Sequence, residues 1–346
     1  MSVQSALKRR VLVVIEKDYS DSELKAAVGR YQQEFARIRS EVARTFVGQD
    51  EMVSSLIEAL LCNGHVLLEG IPGVGKTLLI RTLSKVTGCS FSRIQFTPDL
   101  LPTDILGITT YEEGKGFYTV KGPVFSNFVL GDEINRSPPK VQSALLESMQ
   151  EKQVTIGKET FKLPSPFFVM ATQNPLEQLG TYKLPEAQLD RFHYKLVMSY
   201  PTNEEELKIL DINMTLRNFD DFQVQPILSA DEIMEAQALT KKIRVDKKMS
   251  EYIIRIVDST RNPKKYGLEK GKYISFGASP RASIALYIAS KARALLNNRI
   301  QVTPADIRGV AKNVLRHRII VNFEGQAEGV NGDVIIDEIL SKVKIL

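Results

Sequence analysis

An apolar run that meets a glycine-rich loop and then a helix leaves few folds open. Here His65-Val-Leu-Leu-Glu69 is the run, Gly70-Ile-Pro-Gly-Val-Gly-Lys76-Thr77 the loop, and Leu78-Leu-Ile-Arg-Thr-Leu-Ser84 the body of the helix. The loop fits G-x-x-x-x-G-K-[ST], whose glycines let successive backbone N–H groups turn inward around phosphate oxygens. The helix N-terminus behind them favours the same anion. Lys76 brings a point charge to the β/γ end, Thr77 offers a hydroxyl to Mg2+, and Pro72 stiffens the turn. Gly70, Ile71, Pro72, Gly73, Val74, Gly75, Lys76, Thr77 and Leu78 are therefore expected to hold a nucleoside triphosphate.

The alternation continues along the chain. Apolar runs at 65–69, 93–96, 127–130, 167–172 and 192–198 alternate with helical patterns that include 51–61, 78–86 and 139–150. This predicts an α/β fold, a parallel five-stranded sheet sandwiched by helices with ligands at the carboxyl ends of the strands. Two stretches interrupt it. Residues 98–122 carry a hairpin tip, Tyr111-Glu-Glu-Gly-Lys-Gly116, and 154–161 alternate around Gly157-Lys158 as a second hairpin. These read either as surface decoration or as working protrusions.

After Tyr200-Pro201 the pattern turns helical. Thr202-x-x-Glu205 and Ser229-x-x-Glu232 are capping-box starts, and Thr303-Pro304-Ala-Asp306 opens another helix. Further helices are expected near 246–260, 280–296 and 333–343. At the other end, Leu24, Val28, Tyr31, Phe35, Ile38 and Val42 recur by fours and threes behind Ser20-x-x-Glu23. That is an amphipathic helix, expected to pack on the chain's own core rather than on a partner helix. The expected division is an N-terminal extension over 1–40, an α/β core over 41–200, a linker and first helix over 201–225, and a small all-α domain over 226–346. The stretch Arg217–Gln225 reads as the polar linker.

The net charge of +5 is nearly balanced over the first two hundred residues, with no Lys/Arg block, which counts against sequence-reading of nucleic acid. Cys62 and Cys89 have no partners at metal-type spacing, and His65, His193 and His317 are scattered, so all read as structural. No run nears the ~20 apolar residues of a membrane span. Arg9-Arg10-Val-Leu-Val-Val-Ile15 is too short for a secretion signal and is ended by Glu16-Lys17-Asp18, so a cytoplasmic protein is expected.

Binding alone does not make an enzyme. Asn127-Phe-Val-Leu-Gly-Asp132-Glu133 is an apolar run ending in two acids. A carboxylate beside a triphosphate needs a compensating cation, so Asp132 is the natural partner of the Mg2+ held by Thr77. Glu133 can face a water lined up on the γ-phosphate, as base or orienter. Asn174, in Ala171-Thr-Gln-Asn174-Pro175, offers a neutral amide to the γ-phosphate or to that water. Arg191 either pairs with Asp190 on the surface or stabilises transition-state charge, and Arg281 in Ser279-Pro-Arg281 is a further guanidinium for the phosphates.

Taken together, Val47-Gly-Gln49, Gly70–Thr77, Asp132-Glu-Ile-Asn-Arg136, Ala171–Pro175, Leu184–Phe192, Ser279-Pro-Arg281 and Val314-Leu-Arg-His-Arg318 resemble the MoxR family of AAA+ ATPases, from about residue 41 to about 340. Within AAA+ proteins the chain is similar to the helix-2-insert group, which includes magnesium-chelatase subunits and MCM helicases. Its two hairpins fall where that group carries its insertions. The resemblance implies ATP with Mg2+, Lys76 and Thr77 in Walker A, Asp132 and Glu133 in Walker B, and Asn174 as sensor 1. It implies Arg191 as the arginine finger on a neighbour's nucleotide, Arg281 as sensor 2 in the lid, and Val47, Gly48 and Gln49 beside the adenine. Arg136 is then either an intersubunit group or half of a local ion pair. The resemblance further implies a homo-oligomer, commonly a hexameric ring, acting as a chaperone on client complexes with a von Willebrand factor A domain partner. Two rivals are a nucleotide-gated assembly module with little turnover and a nucleic-acid motor. The mixed charges of the hairpin tips (Glu112, Glu113, Lys115; Lys158, Glu159) count against the motor.

Overall fold

The computed structural model describes Val14 and residues 17–71, 73–174, 180–212 and 219–345. Pro72, Pro175 and the start of the expected linker lie outside the described residues. In chain order the strands are β1 (Val66–Gly70), β2 (Phe91–Gln95), β3 (Gly107–Glu112), β4 (Gly116–Lys121), β5 (Phe128–Asp132), β6 (Gln153–Ile156), β7 (Glu159–Lys162), β8 (Phe168–Gln173), β9 (Tyr194–Met198), β10 (Ile274–Phe276) and β11 (Ile320–Val321). The longer helices are α1 (Asp21–Ala43), α2 (Asp50–Leu61), α3 (Lys76–Val86), α4 (Pro139–Glu151), α5 (Asn203–Ile212), α6 (Ala230–Lys242), α7 (Lys247–Arg261), α8 (Pro280–Leu296), α9 (Pro304–Leu315) and α10 (Gly332–Lys342).

Five strands form one parallel sheet in the order β2-β5-β8-β1-β9. Successive side chains point to opposite faces, so an unbroken apolar run needs cover on both. Val66, Leu68, Phe128 and Leu130 enter the core on one side, with α1, α2, α3 and the helices of the C-terminal part. Leu67, Val129 and Val169 enter the other, beneath Leu145 and Leu146 of α4 and Val154 of β6.

The six apolar positions of α1 are all buried, and they share one core with α2, α3 and the C-terminal helices. Burying each such side chain is worth about 1.5–3 kcal/mol, so this helix packs on its own chain, as its pattern predicts. The Ser20 cap forms as expected, with the Glu23 N–H donating to Oγ and the Glu23 carboxylate accepting from the Ser20 N–H.

Both hairpins form, β3 with β4 and β6 with β7. The C-terminal part is helical but adds a small ribbon, β10 with β11, too short to show any alternation in sequence. In the described end of the stretch expected as a linker, Phe222 and Val224 are buried, and just beyond it Ile227 donates to the Val86 carbonyl at 2.7 Å.

Candidate active site

The carboxyl end of β1 leads into the glycine loop, and α3 begins at Lys76. Gly75 caps that helix at φ +83°, where a Cβ would also press to 3.2 Å from the Phe46 ring. The helix N-terminus opens onto a cleft of about 550 Å3 lined by Val47, Gln49, Gly73, Val74, Gly75 and Leu78, with Tyr200 and α5 opposite. That is the volume range of nucleotide-sized ligands. Gly48 sits at φ +77°, a conformation that side chains rarely adopt, with the Glu205 carboxylate against it, and the Gln49 amide donates to the Ser199 carbonyl at 3.2 Å. The Lys76 ammonium donates to the Gly70 carbonyl, folded back along the loop that Ile71 begins.

Strand order brings the other groups to the same edge. β8 lies between β1 and β5, so Asp132, Glu133 and Asn174 emerge beside the loop. The Asp132 carboxylate accepts from the Thr172 hydroxyl at 2.7 Å and from Arg93 at 2.6 Å. Glu133 sits at φ 57°, an uncommon conformation for a non-glycine residue and a frequent mark of functional sites. Its N–H donates to Thr172 Oγ1 at 2.9 Å, and its carboxylate accepts from the Gln95 amide at 2.9 Å and Arg136 Nε at 3.2 Å. Arg136 therefore makes a local ion pair. Asn174 is buried at the end of β8.

Arg93 and Gln95 carry no motif and sequence reasoning missed them, while Thr172 lies within Ala171–Pro175 but was given no role there. Only the pairing of β2 with β5, and of β5 with β8, shows that they surround the two acids. Thr77 and Asp132 supply hard oxygen donors of the kind Mg2+ takes, with phosphates and water completing its shell. Among the described residues no cluster of three His, Cys, Asp or Glu could hold a metal by itself.

Arg191 and Arg281 lie elsewhere. Arg191 precedes β9, which runs parallel to β1, so it stands at the amino end of the sheet. Five residues at about 3.3 Å each put roughly 15 Å of strand between that end and the phosphate loop. Arg281 opens α8, is more than half exposed, and borders the same cleft as Arg191. Among the described residues Arg191 has no ion-pair partner. Asp190 engages others: Arg318 Nε donates to it at 2.7 Å, Ser279 Oγ at 3.1 Å, and Arg281 Nε stands 3.6 Å away. The surface pair between Arg191 and Asp190 is thus not made.

The histidines gather at this edge as structural groups. Burial pushes the His65 imidazole down to about 4 and His193 to about 3, and pushes His317 well below the usual range. His65 accepts from the Val169 N–H at 3.1 Å, and His317 Nε2 lies 3.1 Å from the Phe192 carbonyl. Among the described residues no helix is long and apolar enough to cross a membrane.

Known proteins resemble this chain in sequence and fold. Residues 65–194 match the family model of ATPases associated with various cellular activities (AAA), and residues 269–339 match the AAA lid domain. The chain is 46% identical to Chaperone MoxR1 of Mycobacterium tuberculosis over 308 residues, covering 88% of this chain and 80% of that protein. It is 30% identical to Protein MoxR of Methylorubrum extorquens, covering 83% and 87% respectively. A crystal structure from Cytophaga hutchinsonii superposes with a TM-score of 0.86 at 46% identity and covers 99% of both chains. With an AAA core and an AAA lid matched and 46% identity to a MoxR protein over 88% of its length, this chain belongs to the MoxR family of AAA ATPases, enzymes that bind and hydrolyse ATP.

Proposed function

We propose that this ATPase works as a head-to-tail ring, a hexamer by the habit of its fold, in which Arg191 and Arg281 of one protomer complete the site of the next. The observation that carries this reading is the split between the two ends of the sheet. Lys76, Asp132, Glu133 and Asn174 sit at one end of a protomer and the two arginines at the other. Guanidinium groups about 15 Å away cannot touch the same γ-phosphate, whereas a heterologous contact brings opposite faces together and closes into a ring.

In such a site the glycine loop and Lys76 grip the β- and γ-phosphates. Thr77 and Asp132 would hold Mg2+, which when bound neutralises charge between those phosphates. Glu133 orients the attacking water and takes its proton, and Asn174 hydrogen-bonds that water or the γ-phosphate. Arg191 meets charge that develops in the transition state. Hydrolysis then moves the helical lid against the core and changes the grip on a client. A role as a chaperone that remodels client complexes with a von Willebrand factor A domain partner is supported by family membership and by one relative's name, Chaperone MoxR1.

Two experiments test the reading. ATPase activity per protomer should rise with protein concentration to a plateau, in step with assembly measured by light scattering. A monomer cleaving ATP at full speed at every dilution would overturn the ring. Glu133→Gln rings, which bind ATP without cutting it, should capture a von Willebrand factor A domain protein from the native cell; its absence from the captured set would remove that partner.

A further inference from the structure

The segment Val314-Leu-Arg-His-Arg318 has no part in the chemistry above, yet its last residue is a guanidinium buried to 8% exposure. Arg318 Nε donates to Asp190 Oδ1 at 2.7 Å. One terminal nitrogen donates to the Phe192 carbonyl at 2.7 Å and the other to the His193 carbonyl at 3.2 Å, with the Asp190 carbonyl 3.5 Å away. The fork therefore grips the backbone on both sides of Arg191. The other Asp190 oxygen accepts from Ser279, whose hydroxyl caps α8 by accepting from the Arg281 N–H, and faces the Arg281 guanidinium. A buried charge is tolerated only when fully engaged in this way.

We propose that Arg318 is the positioning residue for the two arginines offered to the neighbouring protomer, holding Arg191 by its flanking carbonyls and Arg281 through Asp190. The inference rests on the trans role proposed for Arg191 and Arg281. One fork joins the loop before β9 to the start of a lid helix. Lysine, a single point charge, cannot reproduce the fork.

The test uses Arg318→Lys and, should that variant fold poorly, Asp190→Asn, which keeps the shape and removes the carboxylate's charge. Each should bind a non-hydrolysable ATP analogue like the parent protein. Each alone should hydrolyse ATP about 10²-fold more slowly, the cost of displacing a positioned group by about 1 Å. Mixed with excess Glu133→Gln protomers, whose arginines are intact, each should recover as fully as Arg191→Ala does. Adding Arg318→Lys to a protein that already carries both Arg191→Ala and Arg281→Ala should slow hydrolysis little further. Parent-like turnover by both variants overturns the proposal, and so does failure to recover in a mixture where Arg191→Ala recovers. If Arg191→Ala itself does not recover, the trans reading falls and takes this inference with it.

Discussion

The two ends of the central sheet are built in different ways. At the carboxyl end each functional group follows directly from a strand: the glycine loop after β1, Asp132 and Glu133 closing β5, Asn174 closing β8. At the amino end the groups come from three distant places, namely the loop before β9, the start of α8 and the turn after α9. A phosphate can be held by local structure, because a strand, a tight loop and a helix already aim several N–H groups at one point. Activating charge has no such local device. Placed on the far face of the protomer, it becomes useful, in the ring proposed above, only after a neighbour arrives.

The contrast can be broken most sharply at Arg191. We expect Arg191→Ala to bind ATP normally and to hydrolyse it slower by a factor of order 10³ or more. A loss of binding instead would place Arg191 in its own protomer's site. Glu133→Gln, at the other end, should lower turnover by about 10²–10⁴ while still forming the ring. Undiminished phosphate release would remove Glu133 from the mechanism. Gln95→Ala frees the Glu133 carboxylate from one hydrogen bond, and should raise basal turnover by about fivefold, the worth of roughly 1 kcal/mol. A fall in steady-state phosphate release would show that Gln95 supports the working pose.

The smallest effect concerns the seam joining the two ends. Glu58 of α2 is buried, accepting from Tyr194 of β9 and from Arg293 of α8, each at 3.1 Å. Burial pushes its carboxyl up to about 7 from 4.5. The folded chain then holds this proton where the unfolded chain has released it, so the group's contribution to stability falls as pH rises through that window. Glu58→Gln should flatten the decline of melting temperature between pH 5 and pH 8. Parallel curves for the two proteins would refute the role.

Much of the carboxyl end was legible because its signals are contiguous. The five strands appear within a residue or two of their apolar runs, and every apolar position of α1 is buried as its period requires. Gln95 was invisible by comparison: it is an ordinary polar residue in a strand, and its meaning comes from β2 lying beside β5. The β10–β11 ribbon escaped for another reason, since strands of two and three residues carry no periodicity.

By itself, then, the chain's sequence determined a phosphate cradle, an α/β sheet and a helical lid, since periodicity and turn chemistry act over neighbouring residues. Which end of the sheet each charged group serves was decided only in three dimensions. Whether Asp190 meets Arg191 or Arg318, and whether Arg136 stays with Glu133, depends on how separate segments stack. Ion pairs form between whatever folding brings within a few ångströms, and residue spacing along a chain does not encode that distance.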